Sequence, residues 1–224
     1  MNIHGRCWKV LLVAAVGIAA TSTAIGADNE AAYTQAIRER AAKIVAQLVL
    51  DDPEQLARVT DLVAGQYRNL RSIHDARDAK IADARRPAAD RAVAEAWIGV
   101  VRKQASLELF VLHRQFVAQL ASELSPEQVD QVKDGMTYGV VPLTYDRYLE
   151  LLPSLTDEQR ATILAHLLEA RECAMDAGSA DEKHAIFGKY KGRVNNFLSQ
   201  AGYDMKQAEK DWATRRNAAS TESQ

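Results

Sequence analysis

The stretch "SPEQVDQVKDGMTYGVVPLTYDRYLELLPSLTDEQ", residues 125–159, contains three helix starts and the only long interruption between helices in the chain. At each end the same grammar appears. "SPEQV" (125–129) and "TDEQR" (156–160) each set a Ser or Thr three residues before a Gln. That is a capping box: the hydroxyl accepts a backbone N–H of the first turn, and the Gln reaches back to the cap. Pro126 stands at the first helical position, where its missing N–H costs nothing. "DPEQL" (52–56), "SADE" (179–182) and "DMKQ" (204–207) repeat the pattern, with Gly178 and Gly202 before the last two as expected helix ends.

These signals divide the chain into helices over about 29–50, 53–84, 89–122, 126–135, 145–152, 157–177, 180–201 and 205–216. Pro87 ends the second. Expected core stripes are Tyr33, Ile37, Ile44 and Leu48; Leu56, Val59, Val63 and Leu70; Trp97, Val101, Leu109, Leu112, Phe116 and Leu120; and Phe187, Tyr190, Val194, Phe197 and Leu198. No strand alternation of useful length appears. The predicted fold class is all-α: a single-domain helical bundle of seven or eight helices, with a Gly/Tyr/Pro crossover at 135–144. In that crossover Gly139 permits an unusual backbone angle, Pro142 favours an extended Val141, and Thr144 restarts a helix. The segment reads either as a packed aromatic connector or as the rim of a site built from Tyr138, Tyr145 and Tyr148.

The composition agrees. Of 224 residues, 47% are hydrophobic and 26% charged, enough for one substantial core, and Gly (11) and Pro (5) are sparse. At the N-terminus Arg6 and Lys9 precede the apolar run "VLLVAAVGIAA" (10–20) and the small residues "TSTAIGA". This is the order of a secretory signal peptide, and the run is short for a membrane span. Residues 1–27 are therefore expected to be removed, with cleavage after Ala24 or Ala27. Residues 28–216 would then form the helical domain and 217–224 a disordered tail, with the protein periplasmic or secreted and without membrane contact after cleavage. An uncleaved N-terminal anchor is the alternative. Loss of Arg6 and Lys9 takes the formal charge from −2 to −4, since no acidic residue precedes Asp28. That balance gives no electrostatic footprint for nucleic acid. Cys173 is the one cysteine of the mature chain, so no internal disulfide forms, and it reads as a small core residue.

Two helices carry polar residues where the core stripe should continue. In the second, His74 falls within about 20° of Leu56 and Val63, with Arg77 alongside and Tyr67, Arg71 and Asp78 flanking. A buried Arg needs a carboxylate or an anion. One outcome is a local salt bridge, Arg77 or Arg71 to Asp78 or to another helix; the other is the floor of a ligand pocket. In the seventh, His184, Gly188, Lys191 and Asn195 adjoin the core stripe. Gly188 and Gly192 suggest close approach of a helix or a ligand, since Gly inside a helix costs roughly 1 kcal/mol against Ala. If the polar breaks meet, His74, Arg77, His184, Lys191 and Asn195 line one cavity under Tyr138. The cluster is cationic and fits an acidic sugar or another small acid. No standard catalytic motif is present, no cofactor is indicated, and the single H-x-x-E turn of His166 and Glu169 makes no metal site. Asp134, Glu150, Glu172 and Asp176 are the carboxylates available for acid–base work.

At "VKDGMTYGVV", "YLELLPSLT" and "SADEKHAIFGKYKGRVNNFLSQAGYD" the chain resembles a family of secreted bacterial helical proteins, domain of unknown function 3826, over about Tyr33–Trp212. The resemblance implies a carbohydrate-associated role and supplies no catalytic residue. "LSPEQ" and "LTDEQ" are also similar to the L-T-x-x-Q repeats of Spy-type periplasmic chaperones, although the crossover and the extra C-terminal helices depart from that family. Three readings follow: an exported cell-envelope accessory or binding protein engaging carbohydrate or another anionic ligand, an enzyme acting on a glycan by acid–base catalysis, or a chaperone-like protein. Oligomeric state is not readable at this level.

Overall fold

The computed structural model describes residues 19–86 and 90–222. Most of the expected signal segment, and Pro87, lie outside them. The described chain is all-helical: α1 (Ala19–Val45), α2 (Pro53–Arg85), α3 (Arg91–Glu123), α4 (Pro126–Met136), α5 (Val140–Leu151), α6 (Asp157–Met175), α7 (Ala180–Gln200) and α8 (Met205–Glu222). Among the described residues no helix is long and apolar enough to cross a membrane.

The cap side chains act as expected at all five sites, but the reciprocal arm closes at only two: Gln55 turns to the Glu123 carbonyl, Glu182 to the Gly178 N–H and Gln207 to Asp211. Ser125 and Thr156 make complete capping boxes with Gln128 and Gln159. Asp52, Ser179 and Asp204 accept first-turn N–H groups. Ser125→Ala and Thr156→Ala should each lower stability by about 0.5–2 kcal/mol. Unchanged denaturation midpoints in both variants would contradict this.

Four boundaries differ from expectation. α1 starts at Ala19 rather than about residue 29, within the expected signal segment. α1 stops at Val45, because a tight turn (Leu48 N–H to Val45 O, 2.9 Å) returns buried Leu48 to the core. α8 extends to Glu222, past the expected end at Arg216 and into the segment expected to be disordered. The crossover shrinks to three residues. α5 starts at Val140 rather than Thr144, and Pro142 sits in its first turn, where no intrahelical N–H is needed.

That shortening is achieved by a Schellman closure of α4. The Gly139 N–H donates to Asp134 O at 2.8 Å, with Tyr138 (φ 61°) in the left-handed position usually given to glycine. Gly139 follows at φ 64°. A left-handed tyrosine costs roughly 1–2 kcal/mol, so the surrounding packing must hold this turn. At the end of α7, Gly202 (φ 92°) closes the same motif without that cost.

Two apolar clusters lie side by side. One joins Ile37, Val45, Val59, Val63, Phe116, Leu120, Val132 and Met136 from α1–α4. The other joins Val141, Tyr148, Ile163, Leu167, Phe187, Val194 and Leu198 from α5–α7, with Ala208 of α8. Met175, at the end of α6, packs into the first cluster. Beyond them α2 and α3 continue as a hairpin around a small third cluster, Ile81, Ile98 and Val101. Two expected core residues face outward, Trp97 at 53% exposure and Leu56 at 40%, and Cys173 is exposed rather than buried. Gly188 and Gly192 border open space and mark no close helix contact. The close approaches are at Gly135, against Ile44, and Gly178, against the His74 ring.

Candidate functional site

A pocket of about 200 Å³ opens where α1, α2, the Tyr138 turn and the start of α7 converge. Its walls include Tyr33 and Arg40 from α1, Tyr67, Arg71, His74 and Asp75 from α2, Tyr138, and Lys183 from α7. Each position follows from helix geometry. Lys183 stands one turn before Phe187 on the buried stripe Phe187–Tyr190–Val194–Leu198, so it points inward and is only 5% exposed.

The lysine ammonium donates to the Met136 carbonyl at 2.8 Å, occupying an acceptor at the α4 terminus. It also lies 5.7 Å from the ring centres of both Tyr67 and Tyr138. Carbonyl and ring faces favour the cation, but no carboxylate pairs with it. Burial pushes Lys183 down to about 8, and the nearby Arg40 charge pushes in the same direction against the weaker pull of the Asp176 charge. Arg40 lies 5.3 Å above the Tyr67 ring. Among the described residues neither Arg40 nor Lys183 forms an ion pair; the pocket's single carboxylate, Asp75, is bonded to Arg71 at 3.2 Å. Burial also pushes the Tyr67 hydroxyl up to about 12, so it stays neutral.

His74 is buried, and its Nε2–H donates to the Asp176 carbonyl at 2.8 Å. A carbonyl can only accept, which fixes the tautomer and leaves Nδ1 as an acceptor without a partner. Gly178 is required beside it: a Cβ there would sit 2.9 Å from the ring.

A buried charge network braces the site from behind. Arg171 of α6, 4% exposed, bonds Asp130 and Asp134 of α4 and Glu172. Glu172 also takes Lys133 at 3.0 Å and His113 of α3 at 3.2 Å. The other His113 nitrogen meets Asp176 at 3.0 Å. The Asp176 bond, then the Glu172 bond, raise His113 to about 9 against its burial. Burial raises the Glu172 carboxyl, but the His113 and Lys133 bonds outweigh it and hold it near 2.

These shifts define a stability window. His113 gains a proton-dependent contribution that is full below about 6.5 and lost as pH rises through 9; that of Glu172 is full above about 4.5 and lost toward 2. With allowance for partial exposure, the His113 contribution should fall by about 2 kcal/mol between pH 6.5 and 9, partly offset above pH 8 by Lys183, which folds more easily once neutral. His113→Gln should flatten that limb in urea titrations. An unchanged slope in the variant would refute the assignment.

The six residues expected to share one cavity divide among three places. His74 and Tyr138 line the pocket. His184 is exposed and stacks on Tyr138, with ring centres 6.0 Å apart, at the rim. Arg77 turns into a neighbouring groove, bonded to Asp78 at 2.8 Å and near Glu182 at 3.9 Å; the local salt bridge is realised. Lys191 and Asn195 lie two or more turns along α7, beside Tyr148, whose hydroxyl donates to Asn195 at 2.7 Å. Seven helical residues span about 10 Å, which separates Lys191 from His184. Of the carboxylates available for acid–base work, Asp134, Glu172 and Asp176 belong to the bracing network. Glu150 accepts from the Trp212 indole at 3.0 Å.

The residues not anticipated are Lys183, Arg40 and Arg171. The signal for two of them was present: Lys183 falls on the stripe of Phe187, and Arg171 on that of Ile163, Leu167 and Ala174. Arg40 carries no such mark.

No curated protein matches the chain. A family match does extend across the pocket and both main clusters, over residues 34–218, and on that evidence the chain belongs to the DUF3826 family, described as proteins of unknown function.

Proposed function

We propose that this is an exported binding protein of the cell envelope that holds a small anionic ligand, an acidic sugar or a compound of like chemistry, in the pocket around Lys183. One observation carries the reading: a buried lysine and an arginine face the same small cavity without a carboxylate partner. Burying a cation is unfavourable unless an opposite charge arrives, and a ligand carboxylate would supply it. The ring faces of Tyr67 and Tyr138 beside the cations suit a sugar ring, and the neutral Tyr67 hydroxyl suits its oxygens. Export is supported by the charged start, the short apolar run and the small residues before Asp28.

The test is titration calorimetry with galacturonate against galactose. Binding of the acid and not of the neutral sugar is expected. Equal binding, or none to any acidic sugar, rejects the proposal. A second reading, acid–base chemistry on a glycan, has one supporting observation, a lysine held near 8 and thus able to exchange its proton near neutrality. Incubating the protein with a galacturonate oligomer and following release of shorter sugars decides it.

A further inference from the structure

The outward face of α3 is as regular as its core face. Val93, Trp97, Val100, Leu107 and Val111 are 51–65% exposed. With exposed Gln104 they follow the spacing 4-3-4-3-4, the repeat of a coiled-coil seam rather than of a solvated helix surface. The buried residues of the same helix, Ile98, Val101, Ala105, Phe116 and Leu120, lie roughly 130° away around the axis. Packing on α2 therefore leaves the seam uncovered.

We propose that this seam pairs with the same seam of a second copy of the chain, antiparallel, about a two-fold axis at residue 102. The residue types in the seam favour that arrangement over the parallel one. Val93 and Val111, Trp97 and Leu107, and Val100 and Gln104 are each symmetric about position 102. Antiparallel pairing thus sets Val93 against Val111, the large Trp97 against Leu107, and polar Gln104 against Val100. Parallel pairing would instead stack Trp97 on Trp97 and bury Gln104 on Gln104. In the antiparallel pair the one polar seam residue sits at each side of the axis, where it fixes register. Arg102 lies about 180° from the seam centre and so meets no like charge at the axis.

The area is sufficient. The seam runs about 27 Å along the helix. With Phe110 on its flank, also exposed, the two copies would cover on the order of 1,200 Å², the lower end of specific interfaces. The pocket around Lys183 contains no residue of α3, so the pairing is independent of the ligand reading.

Sedimentation velocity on the full chain at about 100 µM should give a dimer. Leu107→Glu with Val100→Glu should weaken association at least about 100-fold, with the helical circular dichroism signal retained because both positions are solvent-facing. In a Cys173→Ser background, mixing Val100→Cys with Gln104→Cys protein should give a disulfide between the two sites, identified by peptide mass. A monomer at that concentration overturns the proposal. So does cross-linking of Val100→Cys to itself, which indicates parallel pairing, or a monomer whose seam instead captures an unfolded polypeptide.

Discussion

Arg171→Met should destabilise the protein by about 3 kcal/mol, the largest effect expected of a single substitution here. The guanidinium is 4% exposed and is held by carboxylates from two helices, with Asp134 at 3.0 Å. Removing it leaves Asp130, Asp134 and Glu172 facing one another without their shared cation. Their partial exposure lets water screen some of that repulsion, which keeps the cost at the low end for a broken buried network. Arg171→Lys should recover only part of the loss, since a single ammonium cannot span acceptors on both sides as the planar fork does. Denaturant midpoints measure both. A change under about 1 kcal/mol for Arg171→Met would show that the network is decorative. The substitution should also loosen the site: Arg171 ties α4 to α6, and the Met136 carbonyl and Tyr138 turn at the end of α4 form one wall of the pocket.

Lys183→Met should separate binding from folding. Removing a desolvated cation stabilises, while leaving the Met136 carbonyl without its donor costs about 1–3 kcal/mol. These oppose, so the net stability change should be within about 1 kcal/mol. Galacturonate affinity should fall at least tenfold, about 1.4 kcal/mol, because the ligand carboxylate loses its buried partner. The pH dependence gives a second readout. The folded pKa of Lys183 is near 8, below its ordinary 10.5. The charged lysine therefore opposes folding below 8, and that penalty disappears as pH rises from 8 to about 10.5. Affinity has the opposite trend: it should hold below pH 8 and decline above it in the wild type, and be weak and flat in Lys183→Met. Equal affinity of the two proteins at pH 7 would remove Lys183 from the site.

The sequence by itself determined the helical class, most helix starts and the apolar stripes. These depend on contacts within a few residues: a cap and its first turn, a proline in its own backbone, a side chain at i+4. Ser125, Thr156 and Asp52 needed nothing distant to be read. Lys183 and Arg171 were also within reach, because helical period alone places them on buried faces.

What only the tertiary structure decided is which faces meet. α3 carries two apolar faces, and nothing in its period says that Ile98 turns inward and Trp97 outward. Packing against α2 makes that choice. Nor could periodicity show that His74 and Arg77, neighbours on one helix, enter different cavities. That depends on where the first turn of α7 meets α2, which sets Lys183 beside the His74 pocket and Glu182 beside Arg77. Arg40 joins the site through the angle of α1 alone. The left-handed Tyr138 is the sharpest case. Local preference assigns that conformation to glycine, and a tyrosine adopts it because the α4–α5 connection has only three residues in which to turn the chain between two packed clusters.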